Sequence, residues 1–250
     1  MLLPTFREQA QKAFINLFFL RSSDYKYTNN LSYGTECAFC ACSLLPAGRF
    51  YYICRMKYKS SDSQGAILPN LLGLSTEKQV NESEFEGFLK AEIYFTEHLN
   101  SCTKFNKTFI LKIHKMALSH LYSFAGKLRD VNMSKGGFPF AAAKFLPETM
   151  SAFENEILSA LPHKYEGREE LIKDIAVVHG ELLFIHPFRE GNGRTARLLA
   201  NLMCRKAGYD GLMFEKIGKK EFEKYVVAVQ SCANKDYEKM IGFITSIFPD

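Results

Sequence analysis

The sequence is short of the features that would decide its class at a glance. No apolar run among its 250 residues approaches the roughly 20 that a membrane-spanning helix needs. The longest early run, Ala13 to Leu20, is bracketed by Lys12 and Arg21 and lacks a small-residue cleavage site, which argues against a secretory leader. Neither sign of charge dominates: 32 basic against 27 acidic side chains leave a formal charge of +5, with the two signs interspersed, which argues against a nucleic-acid-binding surface. There is no internal repeat and no low-complexity tract. The seven cysteines are an odd count, and Cys37, Cys40, Cys42 and Cys54 crowd the first 55 residues. Their spacing has no second half beyond Cys54, so a zinc site is not expected there. Cys102, Cys204 and Cys232 fall among helical apolar residues and read as thiols of a reducing compartment, the cytoplasm. What is present is 47% hydrophobic residues, enough for a sizeable core.

The most informative stretch runs from Ile185 to Arg197 as Ile-His-Pro-Phe-Arg-Glu-Gly-Asn-Gly-Arg-Thr-Ala-Arg. A Gly191-Asn192-Gly193 turn opening a helix presents backbone N–H groups to an anion where the helix dipole also favours negative charge. Arg194 and Arg197, one turn apart, add forked donors for phosphate oxygens. Glu190 precedes the turn, placed to bind Mg2+ bridging those phosphates. His186 alone titrates near neutrality and is the candidate base for a hydroxyl. A glycine-rich cap followed by a basic helix would explain the glycines and arginines but not the histidine and the carboxylate.

The surrounding periodicity predicts an all-α, mainly helical bundle with one short β-hairpin. Residues 1–55 have poor periodicity and read as an N-terminal extension or a mis-assigned start ahead of Met56. Residues 56–104 form a second segment with start signals at Ser75-Thr76-Glu77 and Asn81-Glu82-Ser83-Glu84, the latter leading a helix of about four turns. Residues 105–250 form the main body. Asn106 caps a helix predicted to stop before Gly126, Pro147 starts another, and Arg168 to Ile185 carries His186 to the site. The helix from Arg194 ends at Gly208, and Lys219 to Cys232 and Asp236 to Ile247 close the core. Between them Val131, Asn132 and Met133 lead through Ser134-Lys135-Gly136-Gly137 to Phe138-Pro139-Phe140, a tight hairpin that leaves one edge open. His114, His120 and His179 read as packing or surface histidines.

At His186 to Arg197 the sequence resembles the Fic (filamentation induced by cAMP) family, whose motif His-x-Phe-x-Asp/Glu-Gly-Asn-Gly-Arg-x-x-Arg is matched at every fixed position. The likeness extends from about Ile67 to Ile247 and includes Gly126-Lys127-Leu128-Arg129, with Phe124 where many members carry tryptophan. The resemblance implies a Mg2+-dependent protein adenylyltransferase that moves AMP from ATP to a Ser, Thr or Tyr hydroxyl. His186 would be the base; the amides and side chain of Gly191-Asn192-Gly193, with Arg194 and Arg197, would hold the nucleotide, and Lys135 would lie near it. The hairpin, as a flap, would align a target protein segment by main-chain pairing along Val131, Asn132, Met133, Ser134, Gly136, Gly137 and Phe138. Glu86-Gly87 resembles the end of an inhibitory segment whose glutamate pairs with the last arginine, here Arg197, although Glu82 stands where the family has Ser or Thr. Auto-modification and a homodimer are left open. So are transfer of another phosphate-containing group, deadenylation of a modified protein, and a silent nucleotide-binding module.

Overall fold

The computed structural model describes residues 67–249 and a two-residue strand, β1, at Lys59–Ser60. The expected extension at 1–55, its cysteine cluster and the start at Met56 lie outside the described residues. Seven helices make up most of the remainder, as expected: α1 (Glu77–Glu97), α2 (Lys107–Leu118), α3 (Leu146–Glu156), α4 (Arg168–Ile185), α5 (Asn192–Lys206), α6 (Lys219–Cys232) and α7 (Glu238–Ile247).

Local chemistry accounts for the helix ends. Thr76 caps α1, its hydroxyl accepting from the Gln79 N–H, so the second start signal at Asn81 to Glu84 falls inside one longer helix. Asn106 caps α2 by accepting from Phe109 N–H at 2.8 Å, and Glu154 Oε1 takes the Lys107 N–H at 3.0 Å, satisfying a second first-turn donor. α2 stops at Leu118 rather than near Gly126. Both Leu121 and Tyr122 donate to the Leu118 carbonyl, closing the helix into a chain of turns that carries residues 119–128 back toward the site.

α4 and α5 form the centre. Leu171, Ile175, Leu182 and Ile185 of α4 are buried, as are Leu198, Leu199 and Leu202 of α5. Each such side chain contributes roughly 1.5–3 kcal/mol relative to exposure. α1 packs on α2 at Gly87, where an added Cβ would stand 1.9 Å from the Ala117 carbonyl oxygen, so only glycine allows this approach.

The hairpin pairs β2 (Met133–Lys135) with β3 (Phe138–Pro139), Ser134 opposite Pro139 and Lys135 opposite Phe138. Gly136 and Gly137 take φ of 58° and 83°, the positive values a tight hairpin turn requires. The expected open edge is that of the strand carrying Pro139, and the Met133–Lys135 edge is not open. β1 pairs antiparallel with β2, Ser60 opposite Met133, so this chain itself covers the β2 edge, and β3 is the outer strand among the described residues. The root of the hairpin is pinned where Asn132 Oδ1 accepts from Ala143 N–H at 2.8 Å. Among the described residues no helix is long and apolar enough to cross a membrane.

Three histidines are buried in this core: His114, His179 and His186. Burial holds them well below the ordinary 6.5, at about 4, about 4 and about 3 respectively. Glu92 is shifted the other way, pushed up to about 7 by burial against the opposing pull of Arg205. The histidines contribute stability that is complete above pH 6.5 and is lost as pH falls toward 4, because only the unfolded chain binds their protons in that window. Glu92, protonated in the folded chain, opposes them. Asp174, Glu190 and Glu215, whose carboxyls burial also raises, oppose them in the same sense, and the three histidine protons outweigh these contributions. Urea denaturation should therefore show a markedly lower midpoint at pH 5 than at pH 7; equal midpoints would show that these histidines are not held neutral.

Candidate active site

The site is built where α4 ends. His186 caps α4 in the left-handed conformation, φ 52° and ψ 57°, unusual for a non-glycine residue and a form of local strain that concentrates at functional sites. The turn throws the chain into the loop 187–191, which leads directly into α5. His186 Nδ1 lies 3.0 Å from the Leu183 carbonyl. A carbonyl only accepts, so Nδ1 carries the proton and Nε2 the lone pair, the tautomer a general base needs. Phe140, just past β3, stacks on the imidazole at 3.8 Å with planes 8° apart, and His186 is only 3% exposed. Burial is the main reason its basicity is depressed. The bond to Leu183 raises it, while the charges of Lys135 and Arg129 lower it further.

Two contacts hold the loop. Phe188, fully buried, stacks on His114 at 3.8 Å. Asn192 grips the loop with its amide: Oδ1 accepts from Phe188 N–H at 2.8 Å and Nδ2 donates to the Phe188 carbonyl at 2.7 Å. This corrects the expectation that the Asn192 side chain faces phosphate, since both ends of the amide are committed to the loop and the residue is 2% exposed. Only its backbone N–H belongs to the nest.

The nest itself has the expected form. Gly191 is left-handed at φ 77°, and a Cβ there would meet Leu118 Cδ1 at 2.9 Å, so the position admits glycine alone. The first N–H groups of α5, at Asn192, Gly193 and Arg194, have no intrahelical acceptor by geometry. A Cβ on Gly193 would meet nothing within 4 Å, so there is open space above those donors. Glu190 lies beside them, its Oε1 accepting from Gly191 N–H at 2.9 Å. Burial, and next the Glu84 carboxylate, raise the Glu190 pKa against the pull of Arg194. Lys135 of β2 is close enough for its charge to lower the pKa of both His186 and Glu190. Arg197 sits one turn below Arg194, where its charge lowers the pKa of His179 and opposes the rise at Tyr225.

The acidic residue that α1 brings to the site is not Glu86. Glu86 is exposed, and among the described residues it makes no ion pair or hydrogen bond. Glu84, two residues earlier and 3% exposed, reaches Arg194 Nη2 at 2.7 Å and accepts from the Tyr122 hydroxyl at 2.7 Å. Glu190 meets the same Arg194 nitrogen at 3.4 Å, and the guanidinium lies over the Phe88 ring at 5.0 Å. The partner is thus Arg194 rather than Arg197, the second correction to the expected pairing.

Other residues at the site drew no attention in the sequence. His114 donates from Nε2 to the Glu190 carbonyl at 2.9 Å and accepts the Gly126 N–H on Nδ1 at 2.8 Å, which fixes its tautomer and holds the loop. Nothing in its spacing signals that role. Arg129 and Tyr122 stand in a stretch notable only for its resemblance. Chemically, the arrangement joins a neutral imidazole to the N–H groups of a helix start, with the Glu190 carboxylate against the Gly191 N–H, and among the described residues no group of three or more His, Cys, Asp or Glu is placed to hold a metal by itself.

Residues 104–204 match the model of the Fic/DOC family. Relatives include a protein adenylyltransferase Fic of Nematostella vectensis, 31% identical over 47% of this chain and 27% of that protein. The protein adenylyltransferase VbhT of Bartonella schoenbuchensis is 28% identical over 61% of this chain and 33% of its own length. The chain thus spans about a third or less of the curated relatives it matches. Among solved structures, the N-terminal FIC domain of Bep8 from a Bartonella species aligns with a TM-score of 0.63 at 21% identity, covering 73% of this chain and 91% of that one. BepC of Bartonella tribocorum, solved with bound AMPPNP, aligns with a TM-score of 0.61 at 20% identity over 75% of this chain and 95% of its own. The segment that matches the Fic/DOC model contains the whole loop from His186 to Arg197.

Proposed function

We propose that the protein is an adenylyltransferase that moves AMP from ATP onto a hydroxyl of a protein target. The observation that carries this reading is the way His186 joins the first turn of α5: its Nδ1 is committed to the Leu183 carbonyl, which leaves Nε2 as the basic nitrogen, and the loop 187–191, with Glu190 in it, leads from His186 directly into that turn. The relatives named as adenylyltransferases and the AMPPNP held by BepC support it.

The polyphosphate lies on the N–H groups of Asn192, Gly193 and Arg194, with the arginine side chains on its flanks. The target hydroxyl gives its proton to His186 Nε2 as its oxygen bonds to the α-phosphorus. The bond from that phosphorus to the bridging oxygen breaks, and pyrophosphate leaves. Glu190 is a single hard carboxylate next to the cradle. It fits Mg2+: Glu190 would hold the ion, which would supply charge neutralisation at the polyphosphate. The rest of the acceleration comes from orientation and fixed dipoles. Target segments dock on the hairpin by strand addition, and the outer strand β3 is the edge offered. Phe140 covers the imidazole, so the ring swings aside for a hydroxyl to reach Nε2. The buried free thiols of Cys204 and Cys232 support a reducing, cytoplasmic setting.

The regulatory carboxylate in this reading is Glu84. An arginine held at 2.7 Å by a buried glutamate is not available to phosphate, so α1 restrains nucleotide binding until that pair opens. Tyr122 fixes the glutamate in the restraining position.

His186→Ala should lower transfer from α-labelled ATP by roughly 10² to 10⁴, while AMPPNP binds with near wild-type affinity; transfer at an undiminished rate would remove the base from the mechanism. Glu84→Gly should raise nucleotide affinity and transfer at least about fivefold, with Glu86→Gly close to wild type. Activation by Glu86→Gly alone would reverse the assignment.

A further inference from the structure

Arg129 is a buried charge, among the described residues, that the site as described leaves without a role. It is 4% exposed, and among the described residues it has no carboxylate partner. Burial pulls its pKa down to about 10. Leaving a cation in the interior without an anion is costly, so the position is retained only if its hydrogen bonds are good.

Those bonds reach four carbonyls in two separate parts of the fold. Nε donates to the His186 carbonyl at 2.7 Å, and Nη2 reaches the Ile185 carbonyl at 3.4 Å. Nη1 donates to Val131 and Nη2 also to Ala141. The backbone N–H of Arg129 adds a bond to the Pro187 carbonyl at 2.8 Å. Val131 and Ala141 are the two roots of the hairpin, one on each side. Ile185 and His186 are the end of α4, where carbonyls lack intrahelical partners and the dipole favours a cation. One planar fork therefore ties both feet of the flap to the main chain of the base.

We propose that Arg129 is the positioning residue that couples the flap to His186, setting the register between a docked target hydroxyl and the imidazole. The nearby alternatives cannot do this. Asn132 and the Phe140 N–H tie the hairpin to itself and to Ala143, the Phe140 ring stacks on the imidazole but holds no main-chain group of His186, and His114 holds the loop from its far side at Glu190. Lysine in place of Arg129 keeps the charge but has one nitrogen and no fork, so it cannot span both sets of carbonyls. The charges facing His186 are those of Arg129 and Lys135, which a lysine at 129 leaves unaltered in sign. The effect of the substitution is therefore one of geometry.

The activity arm of the test rests on the adenylyl-transfer reading, and the exchange arm does not. Arg129→Lys is compared with wild type by thermal melting, AMPPNP binding, amide hydrogen exchange and transfer from α-labelled ATP. Amides of Met133 to Phe140 should exchange at least about tenfold faster, the loss of one charge-assisted bond. Those of α5 should be unchanged and AMPPNP affinity should stay within about twofold, while transfer falls about 100-fold, the cost of a misplacement near 1 Å. Unchanged flap exchange in a folded Arg129→Lys protein would overturn the coupling, whatever the activity. If wild type transfers no AMP, the adenylyl-transfer reading fails and flap exchange alone decides the coupling. If Arg129→Lys does not fold, arginine-selective NMR of the wild type decides: the Arg129 Nε–H should resist exchange with solvent, and exchange at the rate of an exposed arginine would overturn the coupling.

Discussion

The reversal of the chain between α4 and α5 is the constraint on which the rest depends. His186 in the left-handed region costs on the order of 1–3 kcal/mol, and the loop after it has little regular structure to support it. What offsets that cost is a ring of contacts that do not involve the imidazole's reactive edge. Arg129 holds the His186 carbonyl, Asn192 clasps Phe188 at both N–H and carbonyl, and Phe188 is stacked on His114. With that loop in place, His186 and the first amides of α5 are held at the two ends of one short, fixed connection. The apolar centre formed by α4 and α5 then serves as the platform that keeps the two helix ends at a fixed separation.

α1 contributes to this platform through two buried ion pairs with α5. Glu84 meets Arg194 at 2.7 Å, and two turns further along Glu92 meets Arg205 at 3.5 Å. Removing one partner of such a pair typically costs about 3–5 kcal/mol, because the other is left charged in the interior. The Glu92 pair is looser and Glu92 is fully buried, so its carboxyl sits near neutrality rather than held low. The two pairs differ in what they sequester. Arg205 lies in the last turn of α5, far along the helix from the nest, and its pair joins α1 to the body. Arg194 lies in the first turn, and under the proposed function its pair would compete with phosphate. One helix thus both completes the core and holds an arginine of the candidate site.

The motif from His186 to Arg197 was legible because its parts are close in sequence, where helical spacing and glycine conformation translate directly into geometry. The bundle followed from apolar periodicity, and the hairpin from Gly136 and Gly137. The failures lie where two remote segments must be set against each other. Glu84 and Glu86 are two residues apart in one helix, about 200° around its axis at 3.6 residues per turn, so only the packing of α1 on α5 decides which one faces the site. The pattern of the segment favoured Glu86; Gly87 instead serves the close approach to Ala117. Asn192 was misread because a polar side chain in a glycine-rich turn has two uses, binding a ligand or closing the turn, and composition does not separate them. His114 and Arg129 act across sequence separations of 76 and 57 residues, and no local signal distinguishes them from a packing histidine and a surface arginine. The end of α2 at Leu118 is likewise a tertiary effect, drawn in by the turns that return the chain to the site.

The central claim is that the nest at the start of α5 presents the α-phosphorus of ATP to a hydroxyl activated by His186. Incubating the protein with Mg2+ and ATP labelled either at the α- or at the γ-phosphate, followed by mass spectrometry of labelled proteins, tests it most directly. The account predicts that label reaches protein from the α-position and not from the γ-position, with pyrophosphate released. Retention of γ-label on protein, with none from the α-position, would contradict it.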